Sequence, residues 1–236
     1  GWNRAEYAQM GLWPGDEHYE RRYDYASEYL EILKTLWRDG RCTHRGEHFQ
    51  LDDCTVYPRP GREIPIVCAG QSPRGRAFVA AHADQQFVLT GQSNLKSGVA
   101  DIKARAAAAG REVGIYALFH MILAESDAAA RATAEHIVAS ADRAALANIL
   151  ASAGLDTNTD GTADQLKAAL TQPIEEGNLA FMGIPVVLGT PTTVAARIDE
   201  LAADTGIDGM LFSWPDFVPG VRRFGEEVLP LLACRG

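Results

Sequence analysis

The stretch IVCAGQSPRGRA, residues 66–77, leaves an apolar segment through Ala69, Gly70 and Gln71, reaches Ser72 and Pro73, and then carries Arg74 and Arg76. Serine followed by proline marks a helix start: the hydroxyl accepts from a first-turn N–H, and proline in the first position has no N–H to leave unpaired. Gly70 allows close backbone approach to a ligand. A helix N-terminus adds free N–H groups and the positive end of the dipole, which together make an anion site. Two readings of this turn stand, an anion site or an ordinary capped helix. A second candidate is ERRYDY, residues 20–25, where Arg22 and Tyr23 follow Arg21. Arginine forks onto phosphate or carboxylate and tyrosine adds a hydroxyl or a ring face. Cations at a helix start oppose the dipole, so they answer either to a bound anion or to Glu17, Glu20 or Glu28. A third candidate is GWNRAEYAQMGLWPGD, residues 1–16, dense in Gly, Trp and Tyr. Trp2 and Trp13 read as a ligand wall or as packing over the mouth of the fold, and Glu6 as a ligand contact or a cap.

Other chemistries find little support. The six histidines (His18, His44, His48, His82, His120, His136) show no zinc-protease spacing, and His44 and His48 flank Gly46 in a turn-rich stretch, so no metal site is predicted. No G-x-S-x-G elbow occurs. DTNTDGTADQ lacks the closing glutamate of a calcium loop. Cys42, Cys54, Cys68 and Cys234 have no C-x-x-C spacing, which fits reduced thiols in a cytoplasmic protein. The net charge of −9 argues against a broad electrostatic grip on nucleic acid or an anionic membrane. No apolar run approaches the ~18 residues of a membrane span.

These candidates need a scaffold. DYASEYLEILKTLW (24–37) has helical spacing, and residues 40–60 read as a loop with short strand pieces. Strand–helix alternation follows: IPIVCAG with PRGRAFVAAHA, QQFVLT with LKSGVADIKARAAAAG, and IYALFHMILA with a long Ala-rich helical run from Ser126. Residues 153–192 read as an irregular insertion, after which come helix TTVAARIDELAADTG, strand GMLFSW and a closing helix GVRRFGEEVLPLLAC. Apolar strands alternating with helices predict an α/β fold with a parallel sheet covered by helices, either doubly wound or a (β/α)8 barrel. No G-x-G-x-x-G follows the first strand, which disfavours the dinucleotide-binding version. Only about four core strands are legible where a barrel has eight, and the chain opens on Gly1 without Met. The expectation is one domain, 1–236, forming the C-terminal part of a (β/α)8 barrel, N-terminally truncated.

Taken together, the Trp–Glu–Tyr opening, QMGLWPGD, RRYDY, CAGQS and the ending FGEEVLPLL resemble the bacterial-luciferase-like flavin monooxygenases along essentially the whole chain. Within that superfamily the wording is most similar to the pyrimidine monooxygenases of the Rut uracil-degradation pathway. Relatives acting on sulfones or alkanesulfonates share the general pattern.

The resemblance implies a (β/α)8 barrel binding FMN at its C-terminal mouth, and a reaction that opens uracil or thymine at N3–C4 with FMNH2 and O2. A separate NADH-dependent flavin reductase is implied as the source of reduced flavin. The family's flavin contacts fall on Glu6, Arg22, Tyr23 and Ser72, with Ser72 at the phosphate, and Trp2 falls near the flavin ring and the pyrimidine. The family's oxygen-positioning Asn and Thr, and an Ile-Lys contact, would precede Gly1, so no catalytic residue is assigned. The alternatives are a monooxygenase of small sulfur compounds, a deazaflavin-dependent barrel reductase and an inactive fragment whose open sheet edges drive oligomer formation.

Overall fold

The computed structural model describes residues 4–153 and 162–234. Three helices come first: α1 (Arg4–Gln9), α2 (Asp16–Glu20) and α3 (Arg22–Asp39), the last closed by Gly40 in the left-handed conformation at φ 78°. Left-handed backbone is where glycine alone is unstrained, which makes it the usual helix terminator. Strands β1 (Arg41–Arg45) and β2 (Gln50–Thr55) form an antiparallel hairpin, where the sequence suggested only strand fragments. Its register sets Cys42 opposite Cys54, and both thiols are free.

Glu28 of α3 holds this hairpin. Its carboxylate accepts from His48 N–H at 2.9 Å and Phe49 N–H at 2.8 Å, and lies 3.0 Å from His44 Nε2. Desolvation pushes its pKa up, but these hydrogen bonds outweigh it and hold the carboxyl below its ordinary value. A group with a depressed folded-state pKa stabilises the fold above its unfolded pKa and loses that contribution as pH falls through the folded one. The hairpin amides are therefore expected to lose hydrogen-exchange protection in the acid range below pH ~4, the unfolded glutamate value. Glu28→Gln should flatten that dependence, and a hairpin equally protected at pH 3 and pH 7 would contradict it.

The main sheet is built by β3 (Val67–Cys68), β4 (Gln85–Val88), β5 (Gly114–Leu123), β6 (Val186–Gly189) and β7 (Gly209–Ser213), all parallel where they pair. Tyr116 and Ala117 are matched to both β4 and β7, and His120 to both β6 and β7. β6 therefore takes over the β4 edge of β5 where β4 stops. Among the described residues β3, β6 and β7 each pair with one strand only, so the sheet is open. Helices α4 (Pro73–His82) and α5 (Gln92–Ala108) follow β3 and β4, and α6 (Asp127–Ser140), α7 (Arg143–Ala153), α8 (Thr162–Ala168) and α9 (Ile174–Gly177) lie between β5 and β6. Helix α10 (Pro191–Thr205) leads to β7, and α11 (Phe217–Arg223) follows it.

The largest core cluster forms on one face of this sheet. Along β5, Ile115, Ala117, Phe119 and Met121 are buried against Leu95, Val99 and Ile102 of α5 and Val194, Ile198 and Leu201 of α10. The alternate residues Tyr116, Leu118 and His120 point to the opposite face, as the two-residue period of a strand requires.

Three sequence expectations need correction. The stretch 153–192 is not irregular throughout, since it holds β6, whose four residues pair with His120–Leu123. A strand this short gives too little periodicity to be legible. The Ala-rich run after Ser126 is two helices, because Asp142 accepts from Ala144 N–H at 2.9 Å and Ala145 N–H at 3.0 Å and so caps a second start. The closing helix is α-helical only to Arg223. A π turn (Phe224–Val228) and a 3-10 turn (Leu229–Leu231) follow, around Pro230, which has no N–H to continue an α-helix.

Candidate functional site

At the C-terminal end of β3 the chain turns through Gly70 and Gln71 into α4. Ser72 caps that helix in extended backbone conformation, its Oγ accepting from Gly75 N–H at 3.2 Å, and it is 8% exposed. A hydroxyl that accepts in this way keeps its own O–H to donate. The Arg74 N–H, in the same first turn, has no acceptor among the described residues. Ser72→Ala is expected to cost about 1 kcal/mol of stability through loss of the cap, read as a lowered urea midpoint.

Gly70 has a reason the sequence did not reveal. A Cβ on Gly70 would lie 2.8 Å from Gly75 Cα, and one on Gly75 would lie 2.8 Å from Gly70 Cα and 2.7 Å from Tyr23 Oη. The two glycines let the strand-end loop touch the first turn of α4, and Gly75 admits the Tyr23 hydroxyl beside it. The Tyr23 ring is tilted against Phe78 of α4 with centroids 5.3 Å apart. No hydrogen bond of the Tyr23 hydroxyl is formed among the described residues.

Arg22 begins α3 on the same corner. Its guanidinium lies 4.1 Å from the Tyr19 ring centroid and 4.9 Å from that of Tyr23, and it donates to Tyr19 O at 2.6 Å. The salt-bridge reading belongs to its neighbour: Arg21 reaches Glu47 at 2.6 Å and Asp24 at 3.5 Å. Arg22 has no carboxylate within ion-pair distance among the described residues. Arg74 and Arg76 of α4 are both engaged. Arg74 donates to Glu20 O and stands 3.8 Å from Asp24, which ties the α2–α3 turn to α4, and Arg76 pairs with Asp101 at 3.0 Å.

The fold thus brings Tyr23 to the helix turn that Ser72 caps, some fifty residues on in sequence, and sets Arg22 beside the Tyr23 ring. Glu6 lies exposed in the first turn of α1, and that helix is linked to the corner by a line of rings. Tyr7 meets Trp13 at 6.0 Å, Trp13 meets Tyr19 at 5.5 Å, and Tyr19 carries Arg22. Trp2 lies outside the described residues.

One pair escaped sequence reasoning. On the sheet face opposite the core, His120 Nδ1 lies 2.9 Å from Ser213 Oγ, and its ring is 5.2 Å from that of Phe181. Burial pushes the imidazole below its ordinary pKa, so it is neutral at neutral pH. Ninety-three residues separate the two, and only the β5–β7 register makes them neighbours.

A parallel sheet packed with helices, its candidate ligand corner at the carboxyl ends of the strands, defines an α/β fold of the barrel-like kind. The model of the luciferase-like monooxygenase family matches residues 1–209, and the chain belongs to that family. Among curated relatives, a protein named pyrimidine monooxygenase RutA from Cronobacter sakazakii is 41% identical over the whole of this chain and 69% of its own length. The protein of the same name from Klebsiella pneumoniae subsp. pneumoniae is 40% identical, again over the whole chain, which spans 64% of that relative. Among solved structures, EDTA monooxygenase from Chelativorans sp. BNC1 superposes with a TM-score of 0.77 at 22% identity, covering 99% of this chain and 64% of that one. DmoA from Hyphomicrobium sulfonivorans gives 0.72 at 23%, covering 90% and 55%. Both bear on the fold alone. Among the described residues no helix is long and apolar enough to cross a membrane.

Proposed function

We propose that this chain carries the FMN-holding part of a flavin-dependent monooxygenase that opens the uracil or thymine ring at N3–C4 with reduced flavin and O2. The observation that carries the flavin half is the Tyr23 hydroxyl beside Gly75 in the helix turn capped by Ser72, with the carboxylate-free Arg22 against the Tyr23 ring. The pyrimidine half is supported by about 40% identity to proteins named for that substrate.

The corner fits a phosphate. A phosphate dianion needs several short donors and a compensating charge, and Gly70 and Gly75 leave the first turn of α4 without side-chain bulk where Tyr23 enters. In this reading the Ser72 O–H and the Arg74 N–H donate to phosphate oxygens, Tyr23 donates from the α3 side, and Arg22 supplies the fork and the charge. Its stacking on Tyr19 and Tyr23 fixes the guanidinium before the ligand arrives, which reduces the ordering cost of binding. Bound reduced flavin supplies the electrons for O2 activation. The protein's share is to orient the ring and exclude water around it, with Glu6 and Trp2 toward the ring by resemblance.

The wider reading places one domain here, with the part of residues 153–192 that precedes β6 as an insertion. Its sheet is the later part of a (β/α)8 barrel, consistent with a chain spanning 61–69% of curated relatives. The reductant comes from a separate NADH-dependent flavin reductase, the setting is cytoplasmic, and the open edges favour a homo-oligomer. The complete protein supplied with FMN, NADH and a flavin reductase is expected to consume uracil under air. Oxidation of a sulfone with uracil untouched would overturn the pyrimidine assignment, and turnover without O2 would overturn the monooxygenase class.

A further inference from the structure

The β1–β2 hairpin sets two free thiols against each other. Cys42 and Cys54 are register partners. Residues directly opposed in an antiparallel pair have Cα atoms about 4.5–5.5 Å apart and side chains on one face. A disulfide takes Cα separations of about 4.4–6.8 Å. The ladder therefore already supplies the spacing of a cross-link, without any change of register.

That register is pinned. Strand β2 carries an extra residue opposite Thr43, and there Asp53 adopts left-handed backbone at φ 49°. The Asp53 N–H donates to Thr43 Oγ1 at 3.1 Å, and its carboxylate accepts from Arg41 Nε at 2.8 Å. A bulge of this kind fixes which residues oppose one another, and slippage by one residue would turn one thiol to the other face.

The two thiols differ in access. Two residues beyond Cys42 on the same face of β1, His44 meets Glu28 of α3, so this face of the hairpin lies under α3. Cys42 is 7% exposed, whereas Cys54 is half-buried. An oxidant from solvent thus reaches Cys54 first, with Cys42 shielded beside it. Neither remaining thiol has a cysteine opposite it among the described residues. Cys68 is matched to Gln86 in the main sheet, and Cys234 lies near the end of the chain, where its N–H donates to Asp199 at 2.8 Å.

We propose that Cys42 and Cys54 are an oxidation site, at which hydrogen peroxide closes a reversible disulfide across the hairpin. Cys54 Sγ attacks one peroxide oxygen: an S–O bond forms, the O–O bond breaks, and the departing oxygen leaves as water. Cys42 Sγ then attacks the sulfur of this sulfenic acid, forming the S–S bond and breaking the S–O bond to release a second water. The thiols together lose two electrons and two protons, and the peroxide gains both. A thiol reductant reverses the link. The hairpin turn holds Glu47 against Arg21 at 2.6 Å, so the link stiffens the element that braces the start of α3. The proposal does not rest on the flavin or pyrimidine reading.

The test exposes the complete protein to hydrogen peroxide, blocks the remaining thiols with iodoacetamide and digests it with trypsin. Cleavage after Arg41 and Arg45 parts the two cysteines. A link therefore survives as one joined pair of peptides, lighter by two hydrogens and separated by dithiothreitol. This pair is expected to exceed every other pairing of the chain's four cysteines by at least about tenfold, since only these thiols are held at high effective concentration. Cys42→Ser is expected to leave Cys54 as a sulfenic acid that dimedone labels, and Cys54→Ser to leave Cys42 unoxidised. Three outcomes would each overturn the proposal: both thiols still free to alkylate, Cys54 carried to sulfinic acid without a link, or Cys42 linked to Cys68 or Cys234 as often as to Cys54. The peptide readout uses the unaltered protein, so it decides even if a variant does not fold.

Discussion

Arg22→Ala is expected to weaken FMN binding by roughly tenfold to a hundredfold, the range for losing a charge-assisted contact of about 1.5–3 kcal/mol. The guanidinium is the one cation of the corner without a carboxylate partner among the described residues, while Arg21 and Arg74 both answer to acidic side chains. Removing Arg22 therefore leaves no local replacement for its charge. Riboflavin, which has no phosphate, should bind Arg22→Ala as it binds the unaltered chain. Arg22→Lys should recover only part of the loss, because an ammonium keeps the charge but not the two-pronged fork. Fluorescence titration with both flavins measures this directly. Equal losses for FMN and riboflavin would show that Arg22 acts through ring packing on Tyr19 and Tyr23 and not on the phosphate.

Gly75→Ala should destabilise the fold by about 2 kcal/mol, within the usual cost of forcing a methyl group into a filled space. The added Cβ would lie 2.8 Å from Gly70 Cα and 2.7 Å from Tyr23 Oη. The first obstacle is backbone, which has little freedom to yield, so strand-end loop and helix must separate or Tyr23 must swing out. Either movement disperses the phosphate donors, so FMN affinity should fall together with the urea midpoint. Gly61→Ala is a suitable control, since nothing lies within 4 Å of a Cβ there. A Gly75→Ala chain of unaltered stability would show that the corner is looser than its geometry indicates. The Ser72→Ala variant separates the two contributions, because it removes a cap and a donor without adding bulk.

Much of the corner was legible before any coordinates. Ser-Pro before a helical run states its own role, because capping chemistry is local and depends on neighbouring residues only. The alternation of apolar strands with helices specified the parallel sheet for the same reason. The pairing of Arg22 with Tyr23 was also visible, but not which arginine would remain free of acid. That depends on Glu47, which lies in the hairpin turn and meets Arg21 across 26 residues. The expectation that Gly70 serves ligand approach changed as well, since its nearest neighbour is the backbone of Gly75.

What the sequence determined by itself is therefore what short-range physics controls: the caps at Ser72 and Ser126, the helix faces, the strand–helix order and the membership that a family's wording carries. The tertiary structure alone decided what long-range register controls. It set His120 beside Ser213, put β6 on the edge that β4 leaves free, turned Gln86 inward with its oxygen unmet, and brought Tyr23 against Gly75. A parallel strand pair is joined through a crossover of a dozen residues or more, so the partners it creates lie far apart in the chain and leave no local pattern to read.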